Sequence, residues 1–100
     1  MTSVYLISEG EFGPVKVGVA ARPLSRRAEL QTGNPKPIYV YRTWTLFTRK
    51  EAFQVERLVL DEMAPYRLEG EWILADEFGT AAVVARHVED VLMSEDDLTA

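Results

Sequence analysis

The stretch from Val15 to Gly33, VKVGVAARPLSRRAELQTG, decides how the rest of the chain is read. Its first residues alternate: Val15, Val17 and Val19 share one face of an extended segment, and Lys16 and Gly18 share the other. Extension ends at Arg22-Pro23, because the residue before a proline is pushed out of the helical region. Pro23 suits a first helical position and Gly33 a C′ position, so a short helix is expected between them. The strand thus carries a lysine on one face, and the helix that follows carries two adjacent arginines, Arg26 and Arg27. Cationic groups aimed from a strand and a helix start toward one point make an anion site, with phosphate the anion expected.

Upstream, SVYLIS (3–8) reads as the first strand, with Val4 and Leu6 on one face and Tyr5 and Ile7 on the other. Residues 9–14, EGEFGP, read as a hairpin loop. If strands 3–8 and 15–19 pair antiparallel, Tyr5 and Lys16 can share a face. Gly18, lacking a side chain, would let another backbone or a phosphate approach there.

Downstream, residues 37–47 form a long β-prone run, with Ile38, Val40, Trp44 and Leu46 alternating against Tyr39, Tyr41, Thr43 and Thr45. Thr48 with Glu51 makes a capping box for a helix that reaches about Met63, where Pro65 stops it. Residues 67–70 turn into a short extended segment bearing Trp72. Asp76 or Thr80 caps a last helix whose Ala81, Val84, Ala85, Val88 and Leu92 form one stripe. On that helix His87 falls opposite the stripe, as a surface residue. Trp44 and Trp72 read as core. The fold class is α+β: a small three-stranded antiparallel sheet flanked by helices, with a C-terminal helix. Residues 1–93 are expected to form one domain and 94–100 an acidic frayed tail.

The 100 residues suffice for one modest core, and an apolar fraction of 47% with 27% charged residues is that of an ordinary soluble protein. With no cysteine, thiolate metal sites and thiol nucleophiles are excluded. The N-terminal residues lack a basic segment followed by a long apolar one, so a cytoplasmic protein without a membrane partner is expected. The net charge of −5 conceals an asymmetry. Residues 1–50 hold eight Lys/Arg against three acids, and residues 51–100 hold three arginines against thirteen acids. Either the basic half meets nucleic acid, or an acidic helical surface is simply solvated beside an unremarkable sheet.

Two positions resist a purely structural account. Glu56 falls inside the apolar arc of Ala52, Val55, Val59, Leu60 and Met63. A carboxylate there must be paired with an arginine, reach solvent at the arc edge, be protonated, or bind a cation. On the first helix Arg27 projects onto the apolar arc and Arg26 onto its flank. Geometry leaves open which of them points into a site.

Val4-Tyr5, Lys16-Val17-Gly18, an arginine eight positions after that glycine and a glutamate in a later helix resemble the GIY-YIG endonuclease superfamily. Ser3-Val4-Tyr5 stands for the first triplet and Lys16-Val17-Gly18 for the second. The lysine, with LQTGNP (30–35) and GEW (70–72), resembles a compact phage and bacterial branch related to the meiotically up-regulated gene nucleases. The resemblance implies a metal-dependent endonuclease that hydrolyses DNA phosphodiester bonds by in-line attack of an activated water. Tyr5 would contact that water, Lys16 would orient or deprotonate it, and Arg26 would stabilise charge on the scissile phosphate. Glu56 would be the one protein ligand of Mg²⁺ or Mn²⁺. Gly18, Arg22, Arg27 and Lys36 are the expected substrate-binding positions. Relatives commonly carry a histidine four residues after the metal glutamate, and that position is Leu60 here. The alternative is therefore a catalytically reduced module of the same fold that binds nucleic acid, a protein partner or a second copy of itself.

Overall fold

The computed structural model describes the backbone of residues 1–99 and side chains through Ser94. Three strands, β1 (Thr2–Ser8), β2 (Val15–Ala20) and β3 (Tyr39–Leu46), form an antiparallel sheet in the order β2-β1-β3. Helix α1 (Pro23–Thr32) lies between β2 and β3 in sequence, α2 (Arg49–Glu62) follows β3, and α3 (Glu77–Thr99) closes the chain. The expected α+β class and three-stranded sheet are therefore present. No helix among the described residues is long and apolar enough to cross a membrane.

The alternation in β1 gives the sheet two apolar faces. Val4 and Leu6, with Val15, Val17 and Leu46, pack against Ala52, Val55, Val59 and Met63 of α2 and its C-cap, and against Ala81, Val84 and Val91 of α3. Tyr5 and Ile7 build a smaller cluster on the opposite face with Ile38, covered by Leu30 of α1, Val40 and Trp72. Burial of the first set is nearly complete, which at roughly 25 cal/mol per Å² of apolar surface makes this side the main source of stability.

Strand β3 departs from the expected alternation. Its register against β1 shifts between Leu6, opposite Arg42, and Ile7, opposite Val40. The extra residue at this bulge reverses the faces. Ile38 and Val40 therefore join the Tyr5 cluster, whereas Tyr41, Trp44 and Leu46 pack with the helix-side core.

The helix ends follow their sequence signals with some corrections. Thr48 and Glu51 form the expected capping box: the Thr48 hydroxyl accepts from the Glu51 N–H at 3.1 Å, and the Glu51 carboxylate accepts from the Thr48 N–H at 2.8 Å. Asp76 caps α3, accepting from the Gly79 N–H at 2.7 Å. Gly33 ends α1 with φ −95°, outside the left-handed region expected of it. The α3 stripe is rotated, so that Val91 is buried and Ala85 is exposed. His87 is only 13% exposed and lies 2.9 Å from Glu62 of α2, so it joins two helices and is not a free surface residue. Helix α3 continues to Thr99, and the side chains of the acidic tail beyond Ser94 lie outside the described residues.

Candidate active site

The β1–β2 pairing sets the geometry. Tyr5 lies opposite Gly18 and Ile7 opposite Lys16, so Tyr5, Lys16 and Gly18 share the face that α1 covers. Gly18 makes room for the phenol itself: a Cβ at that position would overlap the Tyr5 hydroxyl and ring. The space that the sequence suggests for a phosphate is therefore occupied by Tyr5. With its side chain over Gly18, Tyr5 is 2% exposed, and burial raises its pKa above the ordinary phenol value, against the opposing effect of Arg26. It is a neutral phenol at pH 7 and can donate a hydrogen bond.

Arg26 comes to the same place from α1. Its guanidinium donates to Glu29 at 2.9 Å and also neighbours the Tyr5 hydroxyl, both of which favour the charged form. Its side chain remains 44% exposed, so the cation faces solvent as well as the phenol. Arg27 is half-buried. Leu24 in the first turn is 72% exposed, whereas Leu30 packs on the Tyr5 cluster, so α1 rests on the sheet through its second half.

Glu56 sits at the rim of the α2 core stripe. It is partly buried and, among the described residues, not paired with any arginine. Burial first, and then the carboxylate of Glu71, push its pKa up, while Lys16 pulls it down by less. A partly desolvated carboxylate with a second carboxylate nearby suits a cation that takes hard oxygen donors and keeps much of its water. Glu56 could supply one oxygen to such a cation, although among the described residues no group of three or more acidic or histidine side chains gathers to hold one.

Lys16 is 8% exposed as a residue, and its Nζ lies 3.6 Å from a Glu71 carboxylate oxygen. Glu71 was not singled out by periodicity or charge pattern, although it stands inside the GEW triplet. Two backbone hydrogen bonds bring it there, Val15 N–H to Ile73 C=O at 2.9 Å and Ile73 N–H to Val15 C=O at 2.7 Å. They fasten the segment after Glu71 to the start of β2. The acidic half of the chain thus contributes two carboxylates, Glu56 and Glu71, to the rim of the basic half, contrary to a clean separation of charge.

The remaining sequence candidates are less tightly gathered. Arg22 is the N-cap of α1, exposed and extended at φ −132°. Lys36 lies in the loop after α1, which Gln31 shapes by donating to the Lys36 carbonyl at 2.9 Å and accepting from the Ile38 N–H at 2.9 Å. Among the described residues the side chains of Arg22, Arg27 and Lys36 have no hydrogen bond or ion pair. A separate hollow, lined by Glu11, Phe12, Tyr41, Asp76, Glu77 and Phe78, includes none of the candidate side chains.

Side chains from four elements, β1, β2, α1 and α2, are thus linked as successive neighbours, Arg26 with Tyr5, Tyr5 with Glu56 and Glu56 with Lys16. Comparison with known proteins finds no match among curated proteins and none among solved structures. The T5orf172 domain, associated with nuclease-like proteins of phages and bacteria, matches residues 2–92. That span contains every side chain of the cluster, and the chain belongs to the T5orf172 domain family.

Proposed function

We propose that this protein is a GIY-YIG-type endonuclease that hydrolyses DNA phosphodiester bonds with the help of Mg²⁺ or Mn²⁺. The observation that carries the proposal is that Tyr5 and Lys16 share one face of the sheet, with Arg26 beside the Tyr5 hydroxyl and Glu56 a neighbour of both Tyr5 and Lys16. A buried phenol, a half-exposed arginine and a partly desolvated carboxylate gathered in this way are the groups that phosphoryl chemistry uses.

Water attacks the phosphorus in line and the 3′ or 5′ oxygen leaves, with no covalent intermediate. The Tyr5 phenol oxygen accepts from the attacking water and fixes its direction, and its own O–H is free to donate to a phosphate oxygen. The water's proton passes to solvent as the leaving oxygen takes one up. Lys16 lies on the same face and orients the water beside it. Arg26 exchanges its exposed contact with Glu29 for the phosphate and stabilises the charge that develops there. Glu56 would hold the cation, which when bound supplies Lewis-acid polarisation and charge neutralisation. Arg22, Arg27 and Lys36, without internal partners, bind flanking phosphates.

Leu60, in place of the histidine common among relatives, favours a second reading: a catalytically reduced module that binds nucleic acid. A plasmid-nicking assay with Mg²⁺ or Mn²⁺ separates the two. The wild type should nick, Arg26→Ala should lose roughly 10²–10³-fold, and Arg27→Ala should lose far less. Equal losses would overturn the assignment of Arg26. Salt-sensitive DNA binding without nicking would select the second reading.

A further inference from the structure

Lys16 has two carboxylates within its electrostatic reach, and they are not equivalent. Glu71 makes the direct ion pair at 3.6 Å, whereas Glu56 is a more distant neighbour. The Glu71 carboxylate is held on an unusual backbone. Among the described residues it is the one non-glycine residue with positive φ, at 68°, directly after Gly70 at 75°. A left-handed glutamate costs free energy relative to glycine or asparagine and persists only where its surroundings fix it. Here they do: the two hydrogen bonds between Val15 and Ile73 hold the following segment, and the Leu68 N–H to Trp72 C=O bond of 2.6 Å closes the turn around Glu71.

We propose that Glu71 is a positioning residue, which engages the Lys16 ammonium and so keeps it from neutralising Glu56. The proposal rests on the endonuclease reading above and concerns how its cation site stays open. Lys16 is a flexible cation lying in the same neighbourhood as Glu56. With no competing anion, its lowest-energy partner would be the Glu56 carboxylate, and a hydrated divalent cation would then have to displace an ammonium. With Glu71 in place, Lys16 already has a carboxylate partner, and the Glu56 oxygens keep their capacity for a cation. The role needs a carboxylate at the tip of a strained turn that is fastened to the lysine's own strand, and this is the arrangement found.

The test is Mn²⁺ binding by MnCl₂ titration, followed by electron paramagnetic resonance or calorimetry, beside Mn²⁺-dependence curves for nicking. Glu71→Gln removes the charge and keeps the side-chain shape. Glu71→Gly removes the side chain and suits the left-handed backbone, so a loss shared by both variants is not one of folding. Both should weaken Mn²⁺ binding by about 10–100-fold, the range typical when the partner of a metal-site residue is removed. Raising Mn²⁺ should restore most of their cleavage rate, which it would not do for a merely structural lesion. Glu71→Asp should fall between them and the wild type.

In a Lys16→Met background the effect of Glu71→Gln on Mn²⁺ binding should largely vanish, because Glu71 acts through Lys16. A full effect in that background would overturn the positioning role. Wild-type Mn²⁺ affinity in Glu71→Gln and Glu71→Gly would overturn it as well, while leaving the endonuclease reading intact. A wild type that neither binds Mn²⁺ nor nicks DNA would remove both.

Discussion

Gly18→Ala is the substitution by which the coupling of strand and phenol can be measured. A methyl group at position 18 would overlap the Tyr5 hydroxyl and Cζ and stand 2.9 Å from Cε2, inside any normal carbon–carbon contact. Tyr5 cannot simply lean away, because it is 2% exposed and packed with Ile7 and Ile38. Overpacking of this kind costs about 1–3 kcal/mol. Against it stands a gain of roughly 0.5–1 kcal/mol from replacing a glycine inside a strand. The net loss is about 1–2 kcal/mol, which lowers Tm by roughly 5–15 °C in a domain of this size.

Urea and thermal unfolding of the wild type, Gly18→Ala, Tyr5→Leu and the double variant complete a cycle. In the Tyr5→Leu background the cost should shrink or change sign, since the smaller side chain vacates the space over position 18. Nicking by Gly18→Ala should fall together with stability, because the phenol is displaced from its place beside Arg26. A Gly18→Ala protein as stable as the wild type, or an equal loss in both backgrounds, would refute the fitted contact.

Glu56→Gln should abolish cleavage yet stabilise the metal-free protein at neutral pH. The folded-state pKa of Glu56 is raised, so its favourable contribution is fully present below the ordinary carboxylate value of 4.5 and is lost as pH rises through the higher folded value. Melting curves from pH 4 to 8 should show the variant drawing ahead of the wild type across that window, and Mn²⁺ should close the gap for the wild type alone. A variant less stable than the wild type at pH 7 would mean that a protein cation satisfies Glu56. DNA affinity should fall with a slope of about −4 in log K against log salt, as expected for four to five phosphate contacts, and fluorescence anisotropy from 50 to 300 mM salt would measure it. Thr48→Ala should cost ~1 kcal/mol in urea unfolding, because the capping box loses the hydroxyl that accepts from Glu51.

Much of the fold could be read from local chemistry. Alternation in 3–8 and 15–19 assigned Tyr5, Lys16 and Gly18 to one face, and Thr48 with Glu51 marked the start of α2 to the residue. Features that depend on long-range pairing were not readable. The bulge in β3 follows from how Leu6 and Ile7 meet Arg42 and Val40, and no periodicity within residues 37–47 reveals it. The rotation of α3 that buries Val91 and exposes Ala85 depends on where α2 lies, as does the contact between His87 and Glu62. At the site, spacing identified Glu56 as an anomaly but could not say that its near neighbours would be Lys16 and Glu71. Glu71 looked like one more acid in an acidic half, because its importance comes from the bridge between Val15 and Ile73. Charge pattern read along the chain suggested two separate poles, whereas folding brings two of the acids to the basic rim.

The change of face in β3 comes from one extra residue, Tyr41, and not from the chemistry of its side chain. Residues before the bulge belong to the layer of Tyr5, and those after it belong to the layer beneath α2 and α3. Straightening the strand with Tyr41 retained would carry Ile38 and Val40 to the wrong side, whereas deleting Tyr41 would leave Val40 opposite Ile7 and Arg42 opposite Leu6 in ordinary alternation. Replacing Tyr41 by another bulky residue would leave both layers in place. A bulge of this kind is a residue that the strand can lose without exchanging its two layers, so shortening β3 by one residue at Tyr41 should cost only the packing of that side chain.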